Sequence, residues 1–158
     1  EEPDKDGYYF HNTFENGTDR WENRGYASVS QSKDDAYKGS GSLYCDNREY
    51  NWSGASRSLS SNVFEAGKEY SFSVIVKYNE GPDSQKFYLT LQYDNGTDEI
   101  QYDKIATVNV SKDQWVQLAN TNYKIPANAS DLIFYVETEE GLESFYIDEA
   151  IGAAAGTK

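Results

Sequence analysis

Methionine is absent from this chain, cysteine and histidine occur once each, and prolines number three. Each scarcity excludes something. A lone Cys45 allows neither an internal disulfide nor a thiolate metal cluster. Within "GSLYCDN" it reads as a small core residue. A single histidine, His11, rules out a His-based metal triad. It would also be the only base for a Ser-His-Asp triad, and no G-x-S-x-G turn presents a serine. Walker and G-x-G-x-x-G loops are missing. No run of 18 apolar residues exists, so no membrane-spanning helix is expected. A secretory signal is not seen either, and a mature secreted fragment would have lost one. Positive charge is scarce. Lys and Arg total 14 against 27 Asp and Glu, a formal net charge of −13. A nucleic-acid backbone or an anionic membrane surface would be repelled. A neutral partner or a cation such as Ca2+ suits the chain better.

Rings are abundant instead. Aromatics make up 15% of the residues, with 14 tyrosines, a composition that favours strands. No stretch keeps helical spacing over three turns, whereas period-2 alternation recurs. "YSFSVIVKY" sets Tyr70, Phe72, Val74 and Val76 on one face, and "KFYLTLQY" does the same with Phe87, Leu89, Leu91 and Tyr93. "DLIFYVET" aligns Leu132, Phe134 and Val136. "SFYIDEA", "QWVQLA" and "GSLYC" are further strands. "DNG", "NEGPD", "EAGK" and "EEG" supply the turns between them. This pattern predicts an all-β fold, a jelly-roll β-sandwich of two antiparallel sheets. Residues 1–6 and 152–158 read as linker remnants around a body at 7–151.

Strand parity points to a surface. With Leu132, Phe134 and Val136 inward, Tyr135 and Glu137 project together from the opposite face. In "EYNWSGASRS" Trp52 shares a face with Gly54, Ser56 and Ser58, so a large ring falls on a polar side. Its competing role is a rim residue capping the sandwich. Tyr102 in "EIQYDKI" lies on the side of Ile100 and Lys104, where its burial is ambiguous, and it joins Trp52, Tyr135 and Glu137 as the candidate surface set. Rings beside a carboxylate suit a neutral sugar. The C–H face of a pyranose packs on an aromatic ring, and its hydroxyls seek charged donors and acceptors. Arg24 in "WENRGY" could donate paired N–H groups. Trp21 is expected to pack where the chain enters the sandwich, and Trp115 to fill one end of the core.

In order along the chain, "HNTFENGTDRWENRG", "AYKGSGSLYCDNR", "YNWSGASRSL", "AGKEYSFSVIVKY", "WVQLANTNYKIP" and "LIFYVETEEGLESFYIDEA" resemble carbohydrate-binding module family 22. The likeness runs from about residue 7 to 151. It implies a jelly roll whose concave cleft holds the interior of a xylan chain. By motif, it places Arg24, Trp52, Tyr102, Tyr135 and Glu137 at the carbohydrate site. It also implies a structural Ca2+ away from the cleft, held by Glu15 and Asp148 with the carbonyls of Thr13 and Lys38. Without the resemblance, Asp148 reads as a solvated strand carboxylate.

The resemblance implies a secreted, extracellular module that binds xylan and xylo-oligosaccharides. Its covalent partner would be the catalytic domain of a multi-modular, cellulosomal xylanase. Mixed-linkage β-glucan is an alternative ligand. Two other functions stay open at this point. One is a small jelly-roll glycosidase using Glu137 as one of two carboxylates, about 5 Å apart if retaining. The other is a Ca2+-stabilised structural module with no sugar ligand.

Overall fold

The computed structural model describes residues 2–158; the first residue of the expected N-terminal linker lies outside them. Eleven strands and no helix occur among the described residues: β1 (Tyr8–Asn12), β2 (Glu22–Arg24), β3 (Ser28–Ser32), β4 (Ser42–Asp46), β5 (Gly54–Ser58), β6 (Glu69–Lys77), β7 (Ser84–Asp94), β8 (Ile100–Ser111), β9 (Val116–Lys124), β10 (Ser130–Thr138) and β11 (Phe145–Ala154). They form two antiparallel sheets. One has the order β3-β4-β11-β6-β9, with β1 also paired to β11. The other has the order β2-β5-β10-β7-β8. Apart from the β3–β4 and β7–β8 pairs, the neighbours are non-consecutive, which marks a jelly-roll sandwich, as the alternation predicts.

The inward faces make an aromatic core. Phe134 meets Trp21, Phe10 and Phe72, and Phe87 packs edge-on against Phe145. Trp21 is buried there, and its indole N–H donates to Asn12 Oδ1 at 2.9 Å. Cys45 is fully buried, and desolvation pushes its thiol up to about 12, far from a reactive thiolate.

Four features depart from the expectations. Trp115 does not fill the core: β9 starts one residue later, and the ring lies half-buried on the outer side of its sheet with Tyr37 and Tyr146. Trp52 is not in a strand, because β5 starts at Gly54 and Trp52 occupies the turn before it. Asp148 is not solvated, because segment 37–38 folds over it. Lastly, β11 runs to Ala154 against Tyr70, and Gly156 N–H donates to Thr121 O at 2.7 Å, so the packed body extends past residue 151.

Register explains the surface on the second sheet. Tyr135 lies opposite Thr90 and Ser56, Glu137 opposite Tyr88, Gln92 opposite Tyr102 and Thr90 opposite Lys104. A bulge in β8 beside Leu89 and Thr90 reverses which residues face inward. Below it Tyr102 and Lys104 face out; beyond it Ala106 and Val108 pack on the core. A single period-2 reading across residues 99–110 therefore could not place Tyr102.

Gly54 is required where β5 meets β10. A Cβ there would stand 2.0 Å from the carbonyl oxygen of Val136, a backbone atom that cannot swing away. Gly54→Ala should lower stability by about 2 kcal/mol or more, the cost of overpacking. Urea unfolding checks this, and a midpoint equal to the parent's would contradict it.

Candidate functional site

The outer face of the second sheet is a cleft of about 440 Å³ lined by Arg24, Trp52, Tyr102, Lys104, Tyr135 and Glu137. All five residues that the resemblance assigns to sugar are therefore brought together, although they come from residues 24 to 137 of the chain. Arg24 sits on edge strand β2 and Tyr102 on the opposite edge strand, β8. Four strand spacings of about 4.8 Å separate those backbones. The Arg24 guanidinium nevertheless stands 5.7 Å from the Tyr102 ring. Long side chains reaching inward from both edge strands form the two sides of the cleft.

Arg24 ties the cleft together. One guanidinium NH2 donates to Trp52 O and the other to Gln92 Oε1, both at 2.9 Å. The group lies 3.6 Å above the Tyr135 ring and 5.8 Å from Trp52. Tyr135 is consequently 2% exposed. Parity gave the right face, but Arg24 covers the ring, so Tyr135 supports the floor rather than offering a free stacking surface. Burial and the neighbouring Glu137 charge raise its phenol, while Arg24 opposes that shift.

Glu137 is likewise 5% exposed. Its Oε2 accepts Thr90 Oγ1 at 2.7 Å and Lys104 Nζ at 3.1 Å. Both of these donors sit on Oε2, so Oε1 keeps lone pairs able to accept from a ligand, beside the neighbouring Tyr135 hydroxyl. Lys104 is half-exposed and its ammonium stands 4.3 Å over the Tyr88 ring. Sequence reasoning noted Lys104 beside Tyr102 without assigning it to the site, and it missed Thr90 and Gln92. The signal was present: both are polar residues on the outward face of "KFYLTLQY".

Trp52 (39% exposed) and Tyr102 (57%) are the rings open to a ligand. The Trp52 turn is rigid. Ser53 N–H closes it on Tyr50 O at 3.0 Å. Buried Arg48 reaches across it, donating to Asn51 O, Ser53 O, Glu143 O and Thr138 Oγ1 at 2.6–2.8 Å. Burial lowers the Arg48 pKa. Tyr50 stacks on one side of Trp52, with centroids 4.9 Å apart and planes 3° apart. Gly25, at φ +67°, lies against the indole, where a Cβ would stand 2.4 Å from Trp52 Cζ3. Trp52 is thus held before any ligand arrives, which reduces the ordering cost of binding.

Among the described residues, Glu137 is the single carboxylate lining the cleft. A glycosidase needs two flanking the scissile bond, so this cleft does not assemble the hydrolase alternative.

Of the other four nominated residues, Glu15 and Asp148 both accept hydrogen bonds from segment 37–41, which includes Lys38, and Thr13 precedes Glu15 by two positions in the chain. Glu15 accepts the N–H groups of Ser40 and Gly41 and the Ser40 hydroxyl, which hold its carboxyl below the usual value. Asp148 accepts the N–H groups of Tyr37, Lys38 and Glu149. Burial nevertheless raises its pKa, and no cationic side chain lies within ion-pair distance among the described residues. Among the described residues, the carbonyls of Thr13 and Lys38 accept no protein hydrogen bond. A buried, unpaired carboxylate is costly without a cation, and oxygen-only donors match Ca2+. The donor set fits the ion. Among the described residues no three His, Cys, Asp or Glu side chains converge, so an ion bound here would need carbonyl oxygens as well.

Residues 6–143 match the family described as "Carbohydrate binding domain". Over 155 residues the chain is 48% identical to Endo-1,4-beta-xylanase Y of Acetivibrio thermocellus, matching 98% of this chain and 14% of that protein. The chain thus spans about one-seventh of that relative's length. The solved structure of the C-terminal family 22 carbohydrate binding module of Clostridium thermocellum Xyn10B superposes with a TM-score of 0.97 at 46% identity, covering 99% of both chains. A structure described as a xylan-binding domain from CBM 22 gives 0.96 at 47% identity, again covering 99% of both.

Arg48→Met should remove the brace beneath the Trp52 turn and leave three carbonyls short of donors. A loss of about 3 kcal/mol or more is expected, measured by urea unfolding. A loss below about 1 kcal/mol would show that water replaces the guanidinium without penalty.

Proposed function

The chain belongs to carbohydrate-binding module family 22, and from that premise we propose that it binds internal stretches of xylan chains and xylo-oligosaccharides in the cleft. It is the non-catalytic, sugar-binding part of a xylanase-type assembly. The observation that carries the ligand is the pairing of two exposed rings, Trp52 and Tyr102, with a polar floor of Glu137, Lys104 and Arg24. Pyranose C–H faces pack on the rings, while Glu137 Oε1 accepts from sugar hydroxyls and Lys104 donates to them. An open cleft accepts a chain along its length rather than only at its end. The module would act by holding an attached xylanase catalytic domain on plant cell-wall polysaccharide, as a secreted, extracellular and cellulosomal protein.

Removal of the central ring should cost about 2 kcal/mol or more. Trp52→Ala should therefore weaken binding to xylan on affinity gels about 30-fold or more, with the melting curve nearly unchanged because the ring is on the surface. Glu137→Gln should keep the fold and weaken binding to xylohexaose about tenfold, by replacing a charged acceptor with a neutral one. Unaltered retardation of both variants would overturn the assignment of the cleft. Mixed-linkage β-glucan in the same gels decides whether that polymer is a second ligand.

We further propose that Glu15, Asp148 and the carbonyls of Thr13 and Lys38 hold a structural Ca2+. The ion would neutralise the buried Asp148 carboxylate and tie the segment after β1 to the 37–41 loop and β11. Calorimetric melts should show a higher Tm with Ca2+ than with EDTA, and Asp148→Asn should abolish that difference. Identical melts of the parent protein in the two conditions would exclude the site. Neither result bears on sugar binding, which is read separately.

A further inference from the structure

Exposed aromatic surface is not scattered over this protein. Of the five strongly exposed aromatic side chains, Tyr26 (59%), Tyr50 (46%) and Trp52 form one connected strip, Tyr102 lines the same cleft as Trp52 with Arg24 between them, and Tyr37 alone lies elsewhere. From Trp52 the strip leaves the cleft. Tyr50 follows at 4.9 Å, and Tyr26 lies 5.9 Å beyond, tilted by 56°. Tyr50 has a structural task, since it backs Trp52. Tyr26 has none of that kind: among aromatic rings it meets only Tyr50, and it is outside the core. Parallel rings in van der Waals contact lie about 3.5–4.0 Å apart. A 4.9 Å centroid separation therefore means that the pair is slipped, leaving part of each face uncovered.

Shallow grooves flank the strip. One, of about 500 Å³, runs past Tyr50, Asn51, Glu139 and Leu142. Another, of about 300 Å³, runs past Tyr26, Asn23 and Asn47. Glu49 lines both. The Asn23 and Asn47 side chains donate their N–H groups inside the protein, to Gly25 O and Ser28 Oγ, which leaves their carbonyl oxygens to accept. Rings with carboxylates and amide carbonyls alongside suit a neutral polyhydroxylated chain and repel a polyanion.

We propose that the sugar-binding surface does not end at Trp52 but continues over Tyr50 and Tyr26, where it takes the same neutral glycan chain as it leaves the cleft. This rests on the reading of the cleft as a xylan site. The ring-to-ring steps are comparable to the advance of one pyranose along a β-1,4-linked chain. A ligand short enough to stay within the cleft does not reach Tyr26; a polymer does.

Tyr26→Ala separates the two regions, because Tyr26 lies outside the cleft and the core. Titrations of the parent and the variant with xylotriose and with soluble polymeric xylan provide the test. Affinity of Tyr26→Ala for polymer should fall about three- to tenfold, the worth of one aromatic contact, while affinity for xylotriose stays at the parent value. Equal affinity for polymer in parent and variant would overturn the proposal. So would an equal loss for both ligands, which would mean that Tyr26 acts through the cleft. Tyr26→Phe should restore polymer binding, since the ring is what counts. Tyr26→Ser, with its melt checked against the parent, repeats the test should Tyr26→Ala fold poorly. A parent protein that binds neither ligand would refute the cleft assignment itself, an outcome distinct from loss at Tyr26 alone.

Discussion

The Arg24 guanidinium organises the binding face. It enters from edge strand β2, fixes the Trp52 carbonyl, bonds Gln92 of β7 and lies flat on Tyr135 of the central strand. A planar cation with donors spread around its edge can hold a loop carbonyl and a side-chain amide while its face rests on a ring, which a lysine could not do. The arrangement carries a cost: Arg24 Nε is buried without a partner among the described residues. Three elements far apart in the chain share that one group, so the geometry of the cleft depends on it.

A second arginine does comparable work below the surface. Among the described residues Arg48 has no carboxylate partner; it is satisfied mostly by backbone carbonyls of the turn and of the segments around it. Such bonding fixes the backbone course from which Trp52 projects. In the cleft, Thr90 and Lys104 act similarly on Glu137 by occupying one oxygen. The surface is thus preorganised from beneath, and the groups left free are the two rings, one carboxylate oxygen and the remaining Lys104 protons. Stacking and hydrogen bonding can then be realised with little rearrangement.

Much of this was legible because a strand has a period of two. Phe72, Val74, Phe87, Leu89, Phe134 and Val136 are buried as their alternation requires, and the same parity set Tyr135 and Glu137 on the outer face. Parity reports direction but not cover. It could not show that Arg24 would lie over Tyr135, or that Thr90 and Lys104 would close around Glu137, because those neighbours arrive from other strands. It also fails at bulges and strand ends. Tyr102 sits before a bulge that reverses the alternation, Trp52 and Trp115 lie just outside strands, and Asp148 is buried by a loop some 110 residues earlier in the chain.

By itself, then, the sequence determined an all-β sandwich and a sugar-directed set of rings and polar groups, since alternation and composition are local properties of the chain. Family resemblance fixed Arg24 at the site and strengthened Tyr102, the member of the set whose own surroundings were ambiguous. Only the tertiary structure decided which rings remain open, which carboxylate oxygen is free, and that the exposed aromatic strip runs on past Trp52 to Tyr50 and Tyr26. Those outcomes depend on a bulge and two arginines, Arg48 buried and Arg24 half-buried in the cleft, all set by contacts between residues distant in sequence.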